Sequence, residues 1–211
     1  MARQVRAEVT RDSVLRGAAE VFMNLGYANA SLNEIIQQSG VTKGALYFHF
    51  ASKEELARAV IDEGFARLGS AGLSAISDRT PALETMIELS VLTVDVSRAD
   101  PIVRAMFRLV IEIGDYRGSG EGVFAIWLST VQDLAKRALA EGDLSEELEP
   151  DAVGLLVLQA LTGARAVAAA LNRRDELVEH LENMWRLLVP ALVPADKVEY
   201  FRQFVSRRLR V

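Results

Sequence analysis

An all-α fold is predicted by three features of the sequence. Composition is the first: half of the residues are hydrophobic, only 7% are aromatic, and alanine and leucine dominate, a bias that favours helix over sheet. Apolar residues at helical spacing, in one stretch after another, are the second. The third is punctuation, with capping serines and threonines opening the stretches and glycines or prolines closing them. Within this fold class we expect a small N-terminal helix-turn-helix head, residues 1–52, on a larger C-terminal helical domain, residues 53–211, with a helix over 53–68 bridging the two.

The head is read from Ser31 to Phe50, SLNEIIQQSGVTKGALYFHF. Ser31 with Glu34 forms a capping box, and Leu32, Ile35 and Ile36 share the face that such a helix buries. Gly40 can take the left-handed backbone that ends the helix, Val41 plugs the angle, and Thr42 caps a second helix. In that helix Leu46 and Phe50 point inward, leaving Thr42, Lys43, Tyr47 and His49 on a short, basic, hydroxyl-bearing face suited to phosphates and base edges. Periodicity alone fits a plain pair of surface helices equally well, with Tyr47 and His49 as half-buried aromatics. Ahead of the pair, Arg11 to Leu25 is helical through Leu15, Ala18, Ala19 and Phe22 and stops at Gly26. Arg3 and Arg6 precede it, either as an arm that meets DNA or as a solvated end.

After the head, Ser52 and Glu55 cap the bridging helix, which buries Ala57, Val60, Ile61 and Phe65. Gly69 to Thr80 is a boundary. Pro81 and Pro101 suit first positions of helices over 81–98 and 101–113. Gly114 to Gly122, GDYRGSGEG, is a loop whose glycines lack the preceding strand and the spacing of a nucleotide cradle. A helix over 122–141 buries Phe124, Trp127, Leu128, Val131 and Leu134. The next, 151–171, is apolar on nearly every side, yet Gln159, Thr162 and Arg165 in its middle would be costly in lipid, so packing between protein helices is expected and no membrane partner. A helix over 175–188 ends before Pro190, and the last runs from Ala195 to Arg210.

Charge and chemistry narrow the function. Formal net charge is −5, but residues 1–60 carry +1 and the remainder −6, which points DNA to the N-terminal end. The chain has no cysteine, which fits a reducing cytoplasm, and no signal-type apolar run, so no secretion is expected. His49 and His180 belong to no metal motif, and no catalytic elbow, Walker lysine loop or paired carboxylate appears. No enzyme activity, metal or cofactor is expected.

The segment TKGALYFHF with the lysine of ASKEEL closely resembles the recognition helix of TetR-type repressors, and the similarity runs from about Thr10 to Leu56. MARQVRAEVTR together with VTKGALYFHFASKEELA further resembles the γ-butyrolactone autoregulator receptors of antibiotic-producing bacteria, which keep a tryptophan in the ligand cavity where this chain has Trp127. The resemblance implies a homodimer, paired through the 151–171 and 175–190 segments, on a pseudo-palindromic double-stranded operator. It implies DNA contacts by Arg3, Arg6, Ser31, Thr42, Lys43, Gly44, Tyr47, His49 and Lys53, with Lys43 at a base edge and Tyr47, His49 and Lys53 at phosphates. It also implies a small hydrophobic ligand held by Trp127, with Phe107, Met86, Met106 and Val131 lining the cavity and Gln159 or Thr162 as polar anchor. The bridging helix would then carry ligand occupancy to the head. A drug- or antibiotic-sensing regulator of the same fold, and a helical small-molecule-binding protein or enzyme without operator binding, are the alternatives.

Overall fold

The computed structural model describes residues 2–72, 79–114 and 122–209, with side chains from residue 7 onward. Ten α-helices and one 3-10 turn appear among them: α1 (Ala2–Asn29), α2 (Leu32–Ser39), α3 (Lys43–His49), α4 (Lys53–Gly72), α5 (Ala82–Ala99), α6 (Pro101–Ile113), α7 (Val123–Ala140), α8 (Pro150–Ala170), the turn Arg174–Glu176, α9 (Leu177–Leu192) and α10 (Val198–Leu209). They fall into two compact units, Met1–Ser70 with Val96–Val123 and Ala71–Asp95 with Phe124–Val211.

The first unit contains α1 to α4 and α6. Its core is made by Val14, Leu15, Ala18 and Phe22 of α1, Ile35 of α2, Leu46 and Phe50 around α3, Leu56 and Val60 of α4, and Ile102, Ala105 and Leu109 of α6. Each fully buried Leu, Ile or Phe contributes roughly 1.5–3 kcal/mol of transfer free energy, so short helices such as α2 and α3, marginal alone, are held by packing. Two glycines make room for it. A Cβ on Gly17 would lie 2.7 Å from the Ser39 Cβ, and one on Gly64 would lie 2.6 Å from the Met106 Cβ and 3.1 Å from the Ile102 carbonyl oxygen. Close approach of α1 to α2, and of α4 to α6, therefore depends on a missing side chain.

Two boundaries differ from expectation. Helical backbone begins at Ala2, well before Arg11. It also continues to Asn29, but across a break: Gly26 has φ 79° and ψ 165°, so the stop anticipated there is a kink followed by one more turn. The side chains of Arg3 and Arg6, and residues 115–121 of the expected glycine-rich loop, lie outside the described residues.

The second unit is built on Leu83, Met86 and Ile87 of α5, Leu134 and Ala138 of α7, Val153 and Val157 of α8, Leu181, Trp185 and Val189 of α9, and Phe201 and Val205 of α10. Helix α8 is long and apolar enough to cross a membrane, yet most of it is uncovered within the protomer. Leu155, Leu156 and Val167 on α8, Leu171 just after it, and Leu187 on α9 stand exposed. Helix α9 does not end before Pro190; it runs through the proline to Leu192. Pro190 lies in the last turn, where its missing N–H removes one helical hydrogen bond while the Val193 amide still reaches the Val189 carbonyl at 3.0 Å.

Candidate DNA-binding face and ligand domain

The helix-turn-helix is assembled by its caps. Ser31 Oγ accepts the Glu34 amide at 3.3 Å while Glu34 Oε2 accepts the Ser31 amide at 2.8 Å, closing the capping box from both sides. The Ser31 hydroxyl also donates to Glu34 Oε2 at 2.7 Å, and these bonds hold the Glu34 carboxyl below the usual carboxylate range. Gly40 adopts φ 67° and ψ 14°, its amide reaching the Ile36 carbonyl, and Thr42 Oγ1 accepts the Ala45 amide at 3.2 Å. Leu46 and Phe50 are buried beneath α3.

What remains outward is a compact face. Thr42, Lys43 and Gly44 are exposed at the start of α3, followed one turn later by Tyr47, while His49 is half-buried at its end. Lys43 Nζ lies 5.9 Å from the Tyr47 ring centroid, which places a cation and a phenol side by side. Ser31 is exposed as well, though both roles of its hydroxyl are already taken by Glu34.

Gly44 is informative in a different way. Nothing lies within 4 Å of where its Cβ would be. Neither packing nor backbone geometry asks for glycine at this helical position, and glycine there costs about 1 kcal/mol relative to alanine. The fold itself therefore does not require a glycine here.

Two residues are placed differently from the sequence reading. Lys53 Nζ donates to the carbonyls of Tyr27, Ala28 and Ala30 at 2.8, 3.3 and 2.9 Å and sits 4.6 Å from the Tyr27 ring centroid. An ammonium has three donors, so Lys53 is committed to the turn between α1 and α2 rather than turned toward a phosphate. Phe48, which sequence reasoning passed over, is 79% exposed on α3, with its ring edge-on to His49 at 5.0 Å. Its i+2 spacing from Leu46 carried the signal, because two residues on one helix that are two apart cannot both face the core.

The candidate ligand residues do not share one environment. Met106, buried, and Phe107, half-buried, belong to α6 in the first unit. Trp127 and Val131 on α7 and Thr162 on α8 are half-buried in the second unit, and Trp127 meets Phe124 edge-on at 5.7 Å. Met86 is wholly inside the second core. Gln159 is exposed on α8 beside Leu155 and Leu156, so the polar residue expected to be buried lies on the uncovered face.

A polar chain in the second unit went unforeseen. Trp185 Nε1 donates to Ser90 Oγ at 2.9 Å, and Ser90 Oγ donates to the Ile87 carbonyl at 2.6 Å. One turn along, the Arg165 guanidinium donates to Thr93 Oγ1 at 2.5 Å, and burial pushes this guanidinium down to about 10. The sequence did show Arg165 in an apolar helix; it could not show that α5 would supply the hydroxyl.

Comparison with known proteins bears on both units. Residues 14–60 match the model of the bacterial regulatory proteins of the tetR family, and residues 80–194 match that of the tetracyclin repressor-like C-terminal domain. The chain belongs to the TetR family. Its relatives include the A-factor receptor protein of Streptomyces griseus, 30% identical over 202 residues, which span 96% of this chain and 70% of the relative. Among solved structures, a gamma-butyrolactone receptor described as ArpA-like superposes with a TM-score of 0.84 at 26% identity, over 97% of this chain and 98% of the other. CprB of Streptomyces coelicolor, solved in complex with its biological operator sequence, superposes with a TM-score of 0.82 at 28% identity, over 96% and 97%. TetR-type proteins are transcriptional regulators, and α3 lies within the residues matched by the tetR-family model.

Proposed function

We propose that this TetR-family chain is a repressor that binds a pseudo-palindromic operator as a dimer and leaves it when a γ-butyrolactone-type signal binds the second unit. The observation that carries the DNA half is the α3 face: Thr42, Lys43, Gly44 and Tyr47 exposed together, with a glycine that the fold itself does not require. Residues 1–52 form the operator-binding head. Lys43 reads a base edge, Thr42, Tyr47 and His49 take phosphates, and Gly44 lets the helix sit deep in the major groove. Phe48 joins them with an apolar surface for a thymine methyl or a sugar, and Lys53 acts by holding the turn. Ser31 contributes through its cap, and Arg3 and Arg6 from the first turns of α1.

The ligand half is supported by similarity to the receptors above along nearly the whole chain. Trp127 offers a flat ring, Thr162 a hydroxyl, and Arg165 a cation on the same helix that suits a lactone carbonyl. Met86 and Val131 supply apolar volume around them within the second unit, while Met106 and Phe107 belong to the first. Gln159 belongs with Leu155, Leu156 and Leu187 to the dimer face of α8 and α9, where exposed apolar side chains need a second copy. Ligand releases DNA only if it prefers the conformation whose heads are wrongly spaced. The reaction is binding alone, with no catalytic step, and it takes place in the cytoplasm where the chromosome lies.

The test begins with a duplex selected by the purified protein from a randomised pool, followed by titration with a panel of γ-butyrolactones of increasing side-chain length. Release by at least one lactone is expected, with Lys43→Ala abolishing selection. Release by hydrophobic drugs but by no lactone would move the chain to the drug-sensing reading. No selected duplex at low salt would refute the DNA half.

A further inference from the structure

The kink at Gly26 interrupts the helical hydrogen bonds that would span it, and one of them has both of its ends taken up by α6. In a continuous helix the Tyr27 amide would donate to the Met23 carbonyl four residues earlier. Gly26 at φ 79° separates them, leaving a donor and an acceptor at the point where the chain enters the helix-turn-helix. Both are satisfied from α6. Glu112 Oε2 accepts the Tyr27 amide at 2.6 Å, and Arg108 Nη1 donates to the Met23 carbonyl at 2.5 Å. Arg108 Nε then donates to Glu112 Oε1 at 2.6 Å, closing the circuit. An ion pair on one turn of α6 thus spans the gap left in α1.

The fit is specific to these residues. A Cβ on Gly26 would lie 2.7 Å from Arg108 Nη2 and 3.2 Å from Glu112 Oε1, so the glycine supplies both the backbone angle and the room for the pair. From the other side Lys53 of α4 takes the Tyr27, Ala28 and Ala30 carbonyls. The segment that delivers Ser31 to its capping position is therefore held between two helices. Charge-assisted bonds of this kind are shorter and stronger than neutral ones, and they are directional.

We propose that Arg108 and Glu112 are positioning residues for operator binding, fixing the entry angle of α2 and α3 by completing the Met23–Tyr27 hydrogen bond. They touch no DNA. They give α6 its own hold on the head in addition to α4. The inference rests on the operator-binding reading above and adds the part that sets the geometry of that face.

The experiment compares the wild type, Glu112→Ala, Glu112→Gln and Arg108→Lys on the duplex selected by the wild type, over a range of salt, with thermal unfolding in parallel. Glu112→Ala should weaken specific binding by about tenfold or more, as loss of a charge-assisted hydrogen bond at a positioning site implies. Glu112→Gln, which keeps an acceptor for the Tyr27 amide, should stay within about threefold of wild type. The slope of affinity against salt should be unchanged, because no phosphate contact is removed. A residue acting only through its negative charge gives the opposite sign: both Glu112 variants would bind more tightly, and that result overturns the proposal. So does undiminished binding by folded Glu112→Ala, or equal losses in the Ala and Gln variants. Should Glu112→Ala fail to fold, Arg108→Lys decides, since it keeps the charge but cannot span both acceptors: a comparable loss supports the clamp and wild-type affinity overturns it. If the wild type selects no duplex, the operator reading itself fails, an outcome distinct from a binding wild type whose variants are unaffected.

Discussion

Replacing Gly44 by alanine should move stability and DNA affinity in opposite directions. Gly44 lies in the first turn of α3, without left-handed backbone and without any atom within 4 Å of the site of a Cβ. On the folding side the added methyl meets only solvent, and alanine exceeds glycine in helix propensity by about 1 kcal/mol. Part of that gain survives at a helix start, so a rise of about 0.5–1 kcal/mol is expected, equivalent to an increase of about 1–4 °C in Tm for a chain of this length. On the binding side the methyl stands, in the proposed operator complex, where the backbone of α3 meets DNA. Moving a recognition helix outward stretches the contacts of Thr42, Lys43 and Tyr47 together, and losing one or two of them is worth about 1–3 kcal/mol, or roughly five- to 150-fold in affinity. Calorimetric unfolding and fluorescence anisotropy on the selected duplex read the two effects separately. A more stable variant with wild-type affinity would refute the close approach of Gly44 to DNA and remove the argument for this face.

Gly64 should behave in the reverse manner, since its Cβ would collide with Met106 at 2.6 Å: Gly64→Ala should destabilise by about 1–3 kcal/mol in a urea titration, and a neutral result would mean that α4 and α6 are not this close. Trp185→Phe removes an indole donor whose acceptor, Ser90 Oγ, is equally buried, and should cost about 2 kcal/mol or more, measured by denaturant midpoint. Acid should loosen the first unit through Arg67, which donates to Asp12, Glu63 and Asp100 at 2.9, 2.8 and 2.8 Å. Burial raises the Asp100 and Asp12 carboxyls, but hydrogen bonds from Arg67, joined for Asp12 by Arg16, outweigh it and hold both below the usual range. Carboxyls lowered in the folded state contribute stability that is complete above their unfolded values, about pH 4, and is lost as pH falls through the folded ones. Arg67→Gln should flatten that acid limb of a stability–pH curve; an unchanged limb would mean that the cluster contributes nothing.

Local chemistry made much of the first unit legible. The Ser31–Glu34 box, the left-handed Gly40, the Thr42 cap and the buried Leu46 and Phe50 all follow from residues within five positions of one another, and the structure forms each of them. What the sequence concealed depends on distant partners. Lys53 looked like a free cation because its three carbonyl acceptors lie 23 to 26 residues earlier, at a turn whose shape is set by Gly26. Glu112 and Arg108 stand i, i+4 on α6, and nothing in that spacing indicates backbone groups 85 residues away. The exposure of Gln159 is hidden from the sequence for a related reason: in a helix apolar on nearly every side, periodicity cannot say which side faces its own chain and which faces another. Pro190 was given the force of a stop, but a proline in the last turn forfeits one bond that a well-buried helix can lose.

The uncovered strip of Leu155, Leu156, Val167, Leu171 and Leu187 has a consequence for abundance. A protomer that keeps so much oily surface for its twin has a folded state coupled to mass action, so its resistance to unfolding climbs with concentration. Dilution then acts twice on the same molecule, thinning the assembled regulator on DNA and exposing each solitary copy to proteolysis. In a cell that holds only a few copies, the number of surviving regulators falls off more steeply than the rate of synthesis, and the genes below it would open at a sharper threshold than operator affinity alone would set.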